Sequence, residues 1–143
     1  MQRPISTNQH VTFDMISAAA MPIIGRLLNP KAPAKRLMGL VAGLAGAQTM
    51  VTDFEGGKVG LLPMQAHLTS DLAIGVGLIA AAALMKKEST GTRALLAGLG
   101  VFSLAVAAMT DPIPDGKGRV HALKTARKVE RVAGETVGEL AGA

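Results

Sequence analysis

Long apolar segments separated by short polar linkers dominate this chain. The four segments comprise residues 11–28, 37–51, 72–85 and 94–109. The last two have almost no polar position, whereas a helix on the surface of a soluble bundle should show a polar face every 3.6 residues. The linkers contain Pro, Gly and clustered charges, which are typical of helix ends. The pattern therefore predicts four helices embedded in a membrane.

The length of the segments is the main objection to this prediction. Their uncharged runs are shorter than the roughly 20 helical residues that span a bilayer core. Polar neighbours such as His67, Thr69 and Ser70 can lengthen the third helix, and similar extensions lengthen the others. We therefore predict an all-α fold, a transmembrane bundle of four helices.

The composition agrees with closely packed helices. Apolar residues form 49% of the chain, mean hydropathy is +0.36, and the 17 glycines contrast with an aromatic content of only 2%. Small residues allow helix backbones to approach each other in membranes. Gly39 with Gly43, and Gly77 with Ala81, have the spacing of such contacts.

Charge and cysteine content exclude several classes of function. The chain has no cysteine, which excludes disulfides, thiolate metal sites and cysteine nucleophiles. The net charge of +5 and the pI near 10 could suggest nucleic acid. The basic residues lie mostly in short loops and in the last quarter, and stacking aromatics are nearly absent, so we expect no nucleic-acid partner. The polar first ten residues lack the order of a cleaved signal peptide, so we treat them as part of the mature fold.

The most informative feature is an internal repeat. The motif H-x-T-x-D begins at His10 and again at His67, 57 positions later, and the pairs Thr52-Asp53 and Thr110-Asp111 are 58 positions apart. A fixed period is a signal about the whole fold. Two parallel units of two spans each predict a pseudo-twofold axis along the membrane normal.

The repeat also predicts the domain organisation. Both H-x-T-x-D motifs begin helices that run in the same direction, and both Thr-Asp pairs end the returning helices, so all of them should lie at one side of the membrane. The predicted units are a polar arm (1–7), a first two-helix repeat (8–57), a loop (58–66), a second repeat (67–115) and a basic amphipathic helical tail (116–143).

The repeat resembles the SPW-repeat family of small bacterial integral membrane proteins. The resemblance rests on the twofold repeat, on TDFE at 52–55 and on LPMQAHL at 62–68 leading to Asp71, and it covers roughly residues 8–112. The residues in the place of Ser-Pro-Trp are MPIIG at 21–25, which keep the Pro and Gly but lack the Trp. The second repeat has LIA at 78–80 there, without the Pro. The resemblance implies two transmembrane helices for each repeat and no settled activity.

The His and Asp residues of the repeat are candidate ligands. His10 and Asp14 are four residues apart and share a helix face, as do His67 and Asp71. Brought together by the pseudo-twofold axis, they would offer two imidazoles and two carboxylates, a set that suits a divalent zinc, iron or manganese ion. Two facing histidines could instead hold a haem. Four further residues could add ligands or a second shell: Thr52, Asp53, Thr110 and Asp111.

A plainer interpretation is favoured for all of these residues. His and Asp could pair within each helix and satisfy buried polar groups near the interface, and the Thr-Asp pairs could be helix-end turns. The serines have no nucleophile motif around them, and GGK at 56–58 lacks the spacing of a phosphate loop. Enzymatic activity is therefore not the favoured class.

The basic loops predict the orientation. By the positive-inside rule, residues 26–36 and 86–93 would face the cytoplasm of a bacterial inner membrane, with the His/Asp side outward. In the tail, apolar residues recur every three or four positions. The tail could dock on anionic lipid or a partner, or it could be a solvated extension. Its candidate contact residues are Lys124, Arg127, Lys128 and Arg131.

The leading functional hypothesis is a non-catalytic accessory or interaction subunit of a membrane assembly. It follows from the small size, the close-packing surfaces, the tail and the lack of a catalytic set. Its partners would be the lipid bilayer and other membrane-protein chains or further copies of itself. The alternative is a metal- or haem-binding membrane protein. Solute transport has little support, because the sequence shows no clearly broken helix.

Overall fold

Four helices make up the fold. The structure is a computed structural model, and it describes residues 3–54, 57, 59–113 and 131. The helices are α1 (Thr7–Leu28), α2 (Ala32–Val51), α3 (Met64–Leu84) and α4 (Thr90–Met109). The only strand-like pairings among these residues are two isolated bridges, Ile5 with Thr110 and Thr52 with Leu62. The prediction of an all-α, four-helix fold is confirmed.

Each helix begins before its apolar segment does. Ser6 accepts a hydrogen bond from the Gln9 backbone while the Gln9 side chain accepts one from the Ser6 backbone, a capping box that starts α1 among polar residues. Ser89 caps α4 in a similar way through the Thr92 N–H. These polar first turns lengthen the helices to between 20 and 22 residues. At 1.5 Å per residue that is about 30 Å, the thickness of a bilayer core.

Three of the four helices are apolar enough to cross a membrane. Mean hydropathy over the best 18-residue stretch is 1.4 for α1, 1.6 for α3 and 1.7 for α4. Helix α2 has sufficient length but is less apolar, because Lys35 and Arg36 lie near its start and Gln48 near its end. Large apolar side chains such as Leu27 and Leu84 are about four-fifths exposed, which is expected where lipid is the solvent. The fold is therefore compatible with a helical membrane protein, and the predicted fourth span is not among the helices that meet this criterion.

The helices pack as two hairpins, α1 with α2 and α3 with α4. The second hairpin is the tighter, since a Cβ added at Gly100 would lie 2.6 Å from the Gly75 carbonyl oxygen, and one at Gly75 would lie 2.9 Å from the Gly100 oxygen. The predicted contact glycines are different ones, and that prediction is wrong within this chain. Gly39, Gly43 and Gly77 have nothing within 4 Å of an added Cβ, because they lie on outward faces.

The buried side chains are apolar in the middle of the bundle and polar at one of its ends. Its middle is apolar, and the buried cluster there consists of Met21, Met38, Val41, Leu78, Ala82 and Leu96. At one end the buried side chains are polar. They include His10, His67, Thr52 and Thr110, each at most 1% exposed. The starts of α1 and α3 and the ends of α2 and α4 meet there, so both H-x-T-x-D motifs and both Thr-Asp pairs lie at the same end. The predicted amphipathic tail lies outside the described residues except for Arg131, which is exposed and helical.

Candidate metal centre

Four side chains from α1 and α3 converge at the polar end of the bundle. His10 and Asp14 come from α1, and His67 and Asp71 come from α3. The imidazoles are 1% and 0% exposed, Asp71 is 7% exposed and Asp14 is 19% exposed. One atom from each, a histidine nitrogen or a carboxylate oxygen, lies within 4.8 Å of all the others.

The four groups alternate around a closed ring. His10 Nε2 lies 2.8 Å from Asp71 Oδ2 and 3.2 Å from Asp14 Oδ2, and His67 Nε2 lies 2.8 Å from Asp14 Oδ2 and 3.2 Å from Asp71 Oδ2. The shorter contacts join different helices, and the longer ones join residues four apart on the same helix. The pairing within each helix that the plainer interpretation expected is therefore present, and closer pairs between the helices are added to it. The cluster ties α1 to α3.

Threonines at the ends of the returning helices hold both imidazoles. Thr52 Oγ1 lies 2.6 Å from His67 Nδ1, and Thr110 Oγ1 lies 2.8 Å from His10 Nδ1. Each hydroxyl also lies 2.6 Å from the carbonyl oxygen four residues earlier, that of Gln48 or Val106. A carbonyl only accepts, so each hydroxyl donates its single hydrogen there and accepts from the ring N–H.

This network fixes the orientation of each histidine ring. With Nδ1 carrying a hydrogen, Nε2 is the nitrogen that faces the carboxylates. Metal-bound histidines have the same arrangement, in which one ring nitrogen donates to a fixed acceptor and the other binds the ion. The two rings are 5.3 Å apart between centroids and nearly perpendicular, at 78°.

The backbone around the threonines is also anchored. Thr52 and Thr110 end their helices in extended conformations. The next residues, Asp53 and Asp111, donate their N–H groups to the carbonyls of Leu62 and Ile5, both at 2.8 Å. Arg3 Nη1 adds a hydrogen bond of 3.2 Å to the Thr110 carbonyl.

The carboxylates of Asp53 and Asp111 do not join the cluster. Successive side chains point in opposite directions in extended chain, so each threonine faces a histidine while the following aspartate is directed away. The Asp53 carboxylate lies beside Gly60, and Asp111 Oδ1 accepts from the Ile113 N–H at 3.1 Å. The structure thus separates the candidate second-shell residues: the threonines contact the histidines and the aspartates do not.

The two carboxylates differ in their surroundings. Gln48 Nε2 donates to Asp71 Oδ1 at 2.6 Å, and Ser103 Oγ donates to the Asp71 carbonyl at 2.9 Å. Within the described part of the chain, the hydrogen bonding of Asp14 is confined to the ring itself. Asp14 instead borders a cavity of about 40 Å³ whose other polar lining residues are His10, Ser17 and Ser103.

Gln48 is a residue of the candidate site that sequence reasoning missed. The position 58 residues later is Val106, so the repeat pattern gave no reason to select it. A signal was present nonetheless: Gln48 lies in an apolar helix four residues before Thr52, on the same face. Tertiary packing was needed to show that its partner is Asp71.

The space at the centre restricts what the cluster can hold. The adjoining cavity of about 40 Å³ has room for a water molecule or two. A haem requires a pocket of several hundred cubic ångströms, and carboxylate oxygens lie between the two imidazoles. The haem alternative does not fit the described residues, whereas a single metal ion would need only a small expansion of the ring.

Fold and site together define a four-helix bundle with three helices long and apolar enough to span a membrane and a buried His/Asp cluster at one end. Compared with protein-family models, with curated proteins and with solved structures, the chain shows no match. The resemblance to the SPW-repeat family stays a prediction.

Proposed function

We propose that this protein binds one divalent transition-metal ion through His10, Asp14, His67 and Asp71. The observation that carries the proposal is the convergence of two Nε2 and two Oδ2 atoms on one buried centre. Zinc-like ions bind imidazole nitrogen and carboxylate oxygen at about 2.0–2.2 Å, which places tetrahedral ligands about 3.3 Å apart. The nitrogen–oxygen distances of 2.8 and 3.2 Å around the ring are close to that spacing.

Charge balance supports a divalent ion. If each Nε2 also carries a hydrogen that it donates to a carboxylate oxygen, two imidazolium rings balance two carboxylates and the metal-free cluster has no net charge. Replacing those two hydrogens with one divalent cation leaves the cluster neutral again, and metal binding to histidine generally releases protons in this way. Neutrality favours occupancy at membrane depth, where an uncompensated charge costs several kcal/mol.

The mixed donor set narrows the choice of ion. Imidazole suits zinc, iron and copper, whereas carboxylate alone suits magnesium and calcium. Two of each favour zinc, iron or manganese. Gln48 holds Asp71 in place, while Asp14 faces the cavity, so exchange of the ion or of a bound water would occur on the Asp14 side.

The test is metal stoichiometry in the purified protein. Zinc or cobalt(II) is added to metal-stripped protein in mild detergent, excess is removed, and the bound metal is measured by mass spectrometry. We expect about one ion per chain, with cobalt absorption bands of an imidazole- and carboxylate-bound ion. Replacing both histidines (His10→Ala with His67→Ala) should abolish binding.

The chain offers a matched control for that experiment. His121 is its third histidine and is not one of the four proposed ligands, so His121→Ala should retain one ion. Asp14→Asn with Asp71→Asn keeps the size of the side chains and should also lose the metal. Stripped wild-type protein that takes up no stoichiometric ion, or a double histidine variant that keeps it, would leave the ring as an ion-pair network only.

A second candidate is the accessory subunit of a membrane assembly. The outward face of α2 supports it, since Gly39 and Gly43 lie one turn apart with nothing within 4 Å beside the exposed Leu40 and Leu44. Small residues on a lipid-facing surface allow another helix to approach closely. Because α2 is also the least suited to lipid on its own, a partner helix there would shield it.

Native mass spectrometry after gentle extraction tests this candidate. We expect a larger complex, either with other chains or with further copies, that is lost in Gly39→Leu with Gly43→Leu. The control is Gly98→Leu, which also adds bulk at an open position but on α4. A wild-type monomer, or equal loss in both variants, would contradict an α2 interface.

We further propose that the two hairpins are parallel repeats of one unit. The support is the correspondence of their hydrogen bonds: His10 to Thr110 matches His67 to Thr52, and Asp111 to Ile5 matches Asp53 to Leu62. Orientation in a bacterial inner membrane, with the basic loops cytoplasmic, is part of the same proposal. It follows from the positive-inside rule.

A further inference from the structure

A second cavity lies at the opposite end of the bundle from the His/Asp ring. It has a volume of about 350 Å³ and lies between the start of α2 and the loop that joins α3 to α4. Its charged lining residues are three lysines and one glutamate: Lys31, Lys86, Lys87 and Glu88. The remaining lining consists of Pro33, Leu84 and Met85.

One hydrogen bond joins the two basic loops at this cavity, and a second joins α4 to the end of α3 nearby. Glu88 Oε2 accepts the backbone N–H of Lys31 at 3.1 Å, so the glutamate satisfies one of the free donors at the start of α2. Arg93 Nε donates to the Ala82 carbonyl at 2.8 Å near the end of α3. Arg93 is therefore hydrogen-bonded to the end of α3 and does not line the cavity. The three lysines supply the positive charge around it.

The cavity combines a basic rim with an apolar wall. Leu84 is the last residue of α3 and is 78% exposed, so it lies where the hydrocarbon region of a bilayer gives way to headgroups. Lys86 and Lys87 follow within one turn and are exposed. Basic pockets between membrane helices on the cytoplasmic side recognise anionic lipid headgroups, and a volume of about 350 Å³ is within the range of small-ligand sites.

We infer that this cavity binds the headgroup of one anionic phospholipid. The phosphate lies among Lys31, Lys86 and Lys87, and an acyl chain runs along Leu84 toward the bilayer. Three lysines against one glutamate favour an anionic headgroup over a zwitterionic one. A free phosphate ion would lack the contact with Leu84, so the apolar wall favours the lipid.

The test counts lipid bound to the purified protein by native mass spectrometry. Protein in mild detergent is titrated with phosphatidylglycerol or with phosphatidylcholine of the same acyl chains. We expect one phosphatidylglycerol to bind saturably and at least tenfold more tightly than phosphatidylcholine. Lys86→Gln with Lys87→Gln should lower the affinity for phosphatidylglycerol about 30-fold, at roughly 1 kcal/mol for each lysine.

A matched variant separates a site from general attraction to positive charge. Lys35→Gln with Arg36→Gln removes the same charge from the same end of the bundle, but neither residue lines the cavity. It should change affinity less than threefold. Equal weakening in both double variants, or equal binding of the two lipids, would overturn the inference.

Two additional measurements identify the source of the anion and the role of the apolar wall. Millimolar inorganic phosphate should leave the bound phosphatidylglycerol in place, and displacement by it would indicate an anion site rather than a lipid site. Leu84→Asn should lower the affinity for phosphatidylglycerol although all three lysines are retained. An unchanged affinity would contradict the placement of the acyl chain. These variants lie at the opposite end of the bundle from the His/Asp ring, so we expect their metal content to be unchanged and the lipid result to be independent of the proposed metal function.

Discussion

At the residue scale, the paired threonines determine what the histidines can do. Each threonine hydroxyl donates its single hydrogen to a backbone carbonyl. The hydroxyl oxygen can therefore only accept a hydrogen bond from the histidine, and it accepts the ring N–H. This orients both imidazoles with Nε2 toward the aspartates. A serine or threonine anywhere else in the helix would not have this effect, since the geometry depends on a position at the helix end directly opposite the histidine.

The threonine hydroxyls are therefore expected to contribute to both stability and metal affinity. Thr52→Val or Thr110→Val keeps the shape but leaves a buried ring N–H without an acceptor, which costs about 1–3 kcal/mol of stability. Loss of a hydrogen-bond partner of a metal-bound histidine also lowers metal affinity about 10- to 100-fold. Thermal unfolding and a zinc titration in detergent measure the two effects.

Thr69→Val is the control for these variants. Its hydroxyl also donates to the carbonyl four residues earlier, that of Gln65 at 2.9 Å, but it is exposed and away from the cluster. We expect stability within about 0.5 kcal/mol of wild type and unchanged zinc affinity. A similar loss in Thr69→Val would assign the effect to the helix backbone rather than to the histidines.

At the scale of elements, the two hairpins are joined differently. Helices α3 and α4 meet backbone to backbone at Gly75 and Gly100. The corresponding positions of the first hairpin, 57 and 58 residues earlier, are Ala18 and Ala42. A methyl group at either position would not fit a backbone contact like that between Gly75 and Gly100, in agreement with the less extensive packing of α1 against α2.

The close approach of α3 and α4 predicts a strong effect of a small substitution. Gly100→Ala would place a methyl group 2.6 Å from the Gly75 oxygen, which forces the backbones apart and costs about 1–3 kcal/mol. Gly98→Ala, on the open face of the same helix, removes a glycine without a clash and should stabilise by up to about 1 kcal/mol. Thermal unfolding in detergent should separate the two variants in opposite directions, and an equal effect would contradict the contact.

At the scale of the whole molecule, the two candidate sites lie at opposite ends of the bundle. The His/Asp ring lies at one end of the bundle and the lysine-lined cavity at the other, with an apolar core between them. A bilayer would separate the two ends into different compartments. Any metal exchange would then take place on the side away from the basic loops.

The proposed orientation can be tested with cysteine labelling, because the chain has no cysteine of its own. Gln65→Cys places a thiol at the exposed start of α3 near the ring, and Lys35→Cys places one in the exposed first turn of α2 at the basic end. In intact spheroplasts, we expect a membrane-impermeant maleimide to label the first variant only. Labelling of the second alone would show that the protein is inverted.

The polar pattern and the repeat gave the helical class, the meeting of four motifs at one end and the candidate ligand residues. They did so because a motif at the start of one helix and a pair at the end of the next must share a side of a hairpin bundle. The residues at which the helices begin and the glycines at which they touch could not be predicted from this pattern. Capping by Ser6 and Ser89 extends the helices through polar residues, and the choice between Gly43 and Gly100 depends on which face turns inward.

What the sequence by itself determined is the all-helical architecture with helices apolar enough to span a membrane, because apolar runs without a polar face are poorly suited to water. Only the tertiary structure decided that each histidine pairs most closely with the aspartate of the other hairpin. It also decided that the threonines, and not the aspartates beside them, contact the rings, and that Gln48 holds Asp71. These features depend on distances between helices that lie far apart in the chain, which no local spacing encodes.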